Sequence, residues 1–326
     1  MCAGPVGKIH AASVGAHPGA TLALVSDVYR PAAEEVAAAY GAEVATVDQI
    51  MADSTIDIVM ICSVTDTHAD LIERSAHAGK AIFCEKPIDL DLDRAKSVVR
   101  IVQETGAKLM VGFNRRFDPS FATLKNQLEN GDAGSVELIT IVSRDPGAPP
   151  VDYIEGSGGL FRDMTIHDFD MARWLLGEDP IQVYAAAAAL TDPDIGKAGD
   201  VDTAVVTLTC ASGRMAVITN SRRATYGYDQ RIEVHGSGGM LSAGNVLEHT
   251  VGRYNGDGVT TAKPLFFFLE RYAQAYRNEL SVFIDALKSG SEPSPGGADG
   301  VRSLVLAEAA VESLRTGSPA RIELIE

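Results

Sequence analysis

Over its first 115 residues the chain repeats one unit: a short apolar run, a turn, an amphipathic stretch, then a glycine. Residues 22–27 form an apolar run closing on Asp27. Residues 31–40 read as a helix, with Pro31 in the first turn and Gly41 just past the end. Thr46-Val47-Asp48-Gln49 has the form of a capping box opening a short helix. Residues 56–62 are apolar without alternation, as a strand buried on both faces requires. Helices over 66–78 and 91–105, ended by Gly79 and Gly106, then alternate with strands over 81–84 and 108–113. Strands alternating with helices in this way predict a parallel, doubly wound α/β sheet. The expected first domain is a Rossmann-type dinucleotide-binding domain spanning 1–115.

Beyond a helix at 119–129 the rhythm changes. Strand-like runs follow at 136–143, 181–189, 203–210, 215–221, 230–235 and 240–243, interrupted by a helix near 163–176. Two helices, about 269–288 and 299–315, close the chain. The second domain, 116–326, is therefore expected to be α+β with a large, mostly antiparallel sheet that can stay open on one face.

A chain of 326 residues, 46% apolar and 22% charged, suits two ordinary globular domains. Its net charge of -16 argues against nucleic acid and anionic membranes as partners, because both repel it. No stretch approaches the roughly 20 apolar residues of a membrane span, and the N-terminus lacks a signal-peptide layout. A cytoplasmic protein is expected. Cys2, Cys62, Cys84 and Cys210 show no metal-ligand spacing and read as structural thiols in a reducing compartment. No metal is expected.

A dinucleotide fold opens with an apolar strand and then Gly-x-Gly-x-x-Gly, where glycines let backbone N–H groups approach the pyrophosphate. Here Gly4 and Gly7 occupy the second and third glycine positions, Cys2 stands at the first, and no strand precedes it. Asp27 lies 20 residues after Gly7, where a carboxylate can hold the adenosine ribose hydroxyls and repel a 2′-phosphate. That points to NAD, although Arg30 is nearby; a strand-end acid is the alternative role for Asp27. The first strand of this fold is central, so its absence should leave neighbouring strands unpaired. The expectation is a reading frame that begins about ten residues late. After the 56–62 strand, Ser63 and Thr65 can reach the phosphates or ribose; an N-cap role for Thr65 or Asp66 is equally open.

Two further segments carry chemistry. Glu85-Lys86-Pro87 closes the 81–84 strand, and strands of this half present such residues to a ligand crevice. Asp163-Met164-Thr165-Ile166-His167 sets an acid and an imidazole four residues apart, hence on one helix face. Oxidising a secondary alcohol needs a base for the hydroxyl proton and a cation steadying the developing alkoxide. His167 is the candidate base, since imidazole titrates near neutral pH. Asp163 is its partner and Lys86 the cation. The other six histidines read as structural, with His68 nearest the cofactor.

These pieces, with Val111-Gly112-Phe113-Asn114-Arg115-Arg116-Phe117-Asp118, Ser143-Arg144-Asp145-Pro146, the segment 158–170 and the segment 220–229, resemble the Gfo/Idh/MocA family of sugar and polyol dehydrogenases over essentially the whole chain. Within it they are similar to the members that oxidise inositols. The resemblance implies NAD-dependent oxidation of myo-inositol to its 2-keto form by hydride transfer. It implies Glu85 and Lys86 at the cofactor, a cis bond at Pro87, Arg116, Asp145 and Tyr226 on the substrate hydroxyls, and a homotetramer. Another inositol isomer or a pyranose is one alternative, and a non-catalytic dinucleotide sensor of the same fold is another. A surface ion pair, or packing in the case of Tyr226, is the alternative for the three substrate-side residues.

Overall fold

The computed structural model describes residues 3–322. Cys2 lies outside them. The chain forms two compact units, one of residues up to 117 together with 274–304, the other of 118–273 together with the residues from 305 on. The first unit thus takes in a C-terminal segment that the reading of the sequence put in the second domain.

The first unit opens with helix α1 (Pro5–Ala16) and continues as β1 (Leu24–Val25), α2 (Arg30–Tyr40), β2 (Glu43–Val44), α3 (Val47–Ala52), β3 (Ile58–Ile61), α4 (His68–His77), β4 (Ala81–Glu85), α5 (Leu92–Thr105) and β5 (Leu109–Gly112). The local signals work as read. Gly41 and Gly106 end their helices in the left-handed region, at φ 69° each, which only glycine enters without strain. The Thr46–Gln49 capping box is present in both directions. Thr65 and Asp66 cap nothing with their side chains; they sit in a 3-10 turn, and α4 starts at His68 behind Thr67.

The parallel sheet comes in two pieces. β1 pairs with β2, and β3, β4 and β5 pair in that order. In the doubly wound order the first strand separates the second from the fourth, and that is where the break falls among the described residues. Apolar side chains span it. Val14 of α1 clusters with Leu280 and Ile284 of helix α11 (Ala273–Ser289), and Leu22 packs there beside Ile58 and Met60 of β3. Phe283, one turn along α11, packs on Phe83 and Met110. Each such buried side chain contributes about 1.5–3 kcal/mol.

The second unit carries α6 (Pro119–Glu129), β6 (Val136–Arg144), α7 (Val151–Ser157), a π-helical turn (Phe161–Thr165), α8 (Ile166–Leu176), β7 (Pro180–Ala188), α9 (Pro193–Lys197), β8 (Thr203–Cys210), β9 (Met215–Ser221), β10 (Asp229–Gly236), β11 (Gly239–Ala243), the hairpin β12 (Arg253–Asn255) and β13 (Gly258–Thr260), α10 (Phe268–Arg271) and β14 (Ala320–Arg321). Helix α12 (Gly297–Thr316) precedes β14. Seven strands form one sheet in the order β11-β10-β6-β9-β8-β7-β14. Every pairing is antiparallel except β6 with β9. That single parallel seam aligns Arg144 with Ser221, so both strands end at the same edge. A buried ion pair, Arg271 with Asp118, braces α10 against the start of α6, both side chains being 2% exposed. Cys62, Cys84 and Cys210 are buried free thiols. Among the described residues no helix is long and apolar enough to cross a membrane.

Candidate active site

In the first unit, Gly4 is the N-cap of α1 and has no side chain to occupy the helix end; Gly7 is buried within the first turn. A twelve-residue helix leaves its first N–H groups without intrahelical partners and adds a favourable dipole, a setting for a pyrophosphate. Asp27 stands just past β1. Its Oδ2 accepts from Ala3 N–H at 2.6 Å and its Oδ1 from Tyr29 N–H at 2.7 Å. The carboxylate is therefore oriented by backbone at the mouth of α1, and a carboxylate oxygen can accept more than one hydrogen bond. These residues fit a dinucleotide.

Ser63 and Thr65 lie in the loop after β3, and Glu85-Lys86 close β4. His68 stitches the two loops together. It is 1% exposed; its Nδ1 lies 2.7 Å from Pro87 O and its Nε2 2.9 Å from Ser63 O. Ser63 Oγ also bonds Thr67 Oγ1 at 2.6 Å. Lys86 is joined to Pro87 by a cis peptide, as the resemblance implies. Behind Lys86, Glu85 Oε1 meets His10 Nε2 at 2.7 Å. Gly112 lies opposite: a Cβ there would stand 2.9 Å from Glu85 Cδ, so the absent side chain is what lets Glu85 lie across β5. Arg116 is buried and bonds Asp299 at 3.0 Å, so part of its guanidinium serves an ion pair within this unit.

In the second unit, the parallel seam gathers residues. Asp145 follows β6 and donates its N–H to Ser221 O at 2.9 Å; Arg222 follows β9. The segment between β6 and β7 carries Tyr153, Asp163 and His167. Asp163 sits in the π turn and His167 in the first turn of α8. π turns of this kind recur at functional sites. Asp163 accepts from Tyr153 Oη at 3.1 Å through Oδ1 and from Arg222 Nη2 at 3.3 Å through Oδ2. Arg222 is 1% exposed, so its charge acts at low dielectric. Half of Tyr153 is open to solvent, yet its hydroxyl end is enclosed. That burial, and then the charge of Asp163, push its pKa up. Asp145 adds its charge to the same hydroxyl.

Asp168 and Asp170 are buried, and Asp168 accepts from Asn220 Nδ2 at 2.8 Å. With Thr165 Oγ1 donating to Asn220 Oδ1 at 2.8 Å, this network fastens α8 to β9. Tyr226 lies apart from Asp163 in its hydrogen bonding. Its hydroxyl donates to Asp229 at 2.6 Å and accepts from Arg144 at 3.1 Å.

Residues 2–113 match the oxidoreductase family with an NAD-binding Rossmann fold, and 121–242 match the GFO/IDH/MocA C-terminal domain. The inositol 2-dehydrogenase of Rhizobium meliloti (strain 1021) is 57% identical over 312 residues, 96% of this chain and 94% of that protein. A crystal structure of a myo-inositol dehydrogenase from Corynebacterium glutamicum superposes with a TM-score of 0.95 at 42% identity, covering 99% and 98% of the two chains. The scyllo-inositol dehydrogenase of Lactobacillus casei, solved with NAD(H) and scyllo-inositol bound, superposes at 0.90 with 29% identity, covering 98% and 96%.

The chain belongs to the Gfo/Idh/MocA family.

It is thus an NAD-dependent oxidoreductase of that family, and its first unit carries the family's NAD-binding domain. Three residues that hold this Gfo/Idh/MocA site together had no assigned role in the sequence. Tyr153 sits in a helix of seven residues behind two prolines, with no periodic signal around it. Arg222 and Arg223 are adjacent, and only folding separates the buried arginine from the exposed one. Asp229 is a strand-opening acid; its burial would raise its pKa, but hydrogen bonds from Arg231, Tyr226 and Asn245 hold it down at about 2.

Proposed function

We propose that this protein oxidises myo-inositol to 2-keto-myo-inositol with NAD. The observation that carries the reading is the Asp163–Arg222–Tyr153 cluster one turn before His167, in a chain 57% identical to a protein named inositol 2-dehydrogenase. His167 takes the proton from the substrate's secondary hydroxyl as general base. Asp163, steadied by Arg222 and Tyr153, orients that imidazole. Lys86 hydrogen-bonds the reacting oxygen and lowers the energy of the developing alkoxide. NAD held by the first unit's residues would supply the hydride acceptor, so that the carbon losing its hydroxyl proton and hydride becomes a ketone. Gly4 and Gly7 serve the pyrophosphate, Asp27 the ribose, and Ser63, Thr65 and Glu85 the rest of the cofactor. Arg116, Asp145 and Tyr226 meet the remaining hydroxyls; a site built to bond hydroxyls rejects analogues that lack them.

The proposal extends to assembly and location: a homotetramer, acting in the cytoplasm. Tyr184, Val205, Met215 and Met240, on β7, β8, β9 and β11, are exposed on the sheet and available to a second copy. One alternative has support of its own, since the Lactobacillus casei relative holds scyllo-inositol. Absorbance of NADH, followed with purified protein, NAD and a panel of myo-inositol, scyllo-inositol and glucose, tests both. The highest kcat/KM is expected with myo-inositol. A preference for scyllo-inositol would favour the alternative, and NAD reduction with none of the three would overturn the reading.

A further inference from the structure

Helix α11 turns an apolar stripe inward through Tyr276, Leu280, Phe283 and Ile284, and one acid stands in that stripe. Glu279 is 0% exposed, and neither carboxyl oxygen has a hydrogen-bond partner among the described residues. An ionised carboxylate in such a place costs far more than a neutral acid, because nothing replaces its water. A second acid is near: Glu85, which ends β4, acts on Glu279 through its charge. His10 of α1 completes the group. Its Nε2 meets Glu85 at 2.7 Å, its Nδ1 is buried without a partner, and its ring packs on Phe83 at 4.9 Å and edge-on to Tyr276 at 5.3 Å. The imidazole thus pairs with Glu85 while Glu279 is buried without a hydrogen-bond partner, and like charges at close range cannot both be carried cheaply.

We propose that Glu279 is a carboxylic acid at neutral pH and a positioning residue for Lys86: by keeping its proton it leaves Glu85 the single anion of the group, held by His10, and so fixes the strand end from which Lys86 projects. The direction of titration agrees. Burial first, and the charge of Glu85 second, push Glu279 well above the ordinary carboxyl range. Were Glu279 to ionise, repulsion would act on Glu85, one residue from Lys86. The space left by Gly112 gives Glu85 its present seat. The role of Lys86 is taken from the proposed dehydrogenase reading; the protonation of Glu279 is independent of it.

The test pairs infrared spectroscopy with kinetics. The full-length protein near neutral pH is expected to show the carbonyl-stretch band of a protonated carboxyl, absent in Glu279→Gln and shifted in frequency in Glu85→Gln. Glutamine copies the neutral acid in shape and keeps a donor, so Glu279→Gln is expected to hold kcat and KM for NAD within about twofold of wild type. Absence of the band in the wild-type protein overturns the proposal. So does a drop in kcat of about tenfold or more in a folded Glu279→Gln protein, which would mean that the proton is used and not held. If Glu279→Gln does not fold, the band and its shift in Glu85→Gln still decide the protonation. A protein that shows the band but reduces no NAD with any polyol would sink the dehydrogenase reading and leave the neutral acid standing.

Discussion

At the scale of single residues the proposed chemistry rests on charges whose partners are now visible. His167→Ala is expected to lower kcat by roughly 10²–10⁴-fold if the imidazole is the general base; a steady-state loss under about tenfold would reject that role. Arg222 is the less obvious lever. It is 1% exposed and faces an aspartate that is 15% exposed. Removing one partner of such a pair leaves an uncompensated buried charge, so Arg222→Met should cost about 3–5 kcal/mol in chemical denaturation. Arg222→Met/Asp163→Asn should recover a large part of that loss, because the orphaned charge goes with it; no recovery would show that Arg222 supports something other than Asp163. Asp27→Ser is expected to weaken the preference for NAD over NADP, read as the ratio of the two kcat/KM values. An unchanged ratio would mean the carboxylate does not touch the ribose.

At the scale of elements, strands read well wherever one face is buried. β8 and β10 alternate buried and open along their length, and that period of two is visible in the side chains alone. The hairpin β12–β13 was not foreseen, because all six of its residues are exposed and no alternation marks it. α7 follows a proline and α9 opens on one, and both are too short to show a helical stripe. The Asp163–His167 pair was legible by spacing, but the π turn beneath it was not, since the extra residue per turn leaves no compositional trace. One turn offers a pH test. Asp202 is buried, which alone would raise its pKa. N–H groups of Leu190, Asp192 and Thr191 and the Thr203 hydroxyl more than offset this and hold it down from 3.8 to about 2. A carboxyl depressed on folding stabilises the fold above its unfolded pKa and loses that contribution as pH falls through the folded one. About 2 kcal/mol should therefore be present at pH ~5, mostly lost by pH ~2 and gone below it. The acid limb of Tm against pH should be shallower in Asp202→Asn; an identical limb would remove Asp202 from the account.

On the scale of the whole molecule, the β-α rhythm predicted the parallel sheet, which the described residues form in two pieces. Among the described residues, apolar side chains span the break between β1–β2 and β3–β4–β5. Opening free energies follow the density of buried packing and paired backbone. Amides of β1 and β2 should thus exchange with deuterium at least about a hundredfold faster than those of β4, which is paired on both sides and lined by fully buried Ile82, Phe83 and Cys84. Equal protection would show that the two pieces open as one. What sequence order could not convey is membership: residues 274–304 belong with the first 117, and nothing local to α11 says so. That membership has a temporal side. Chains emerge from the ribosome N-terminus first, at about 5–20 residues per second, and domains commonly fold as they appear. Here the nucleotide-binding unit lacks α11, with Leu280, Phe283 and Ile284, until every second-unit strand up to β13 has been made. Its N-terminal portion must wait for its own last pieces, exposing that apolar surface meanwhile to whatever in the cell shelters unfinished proteins.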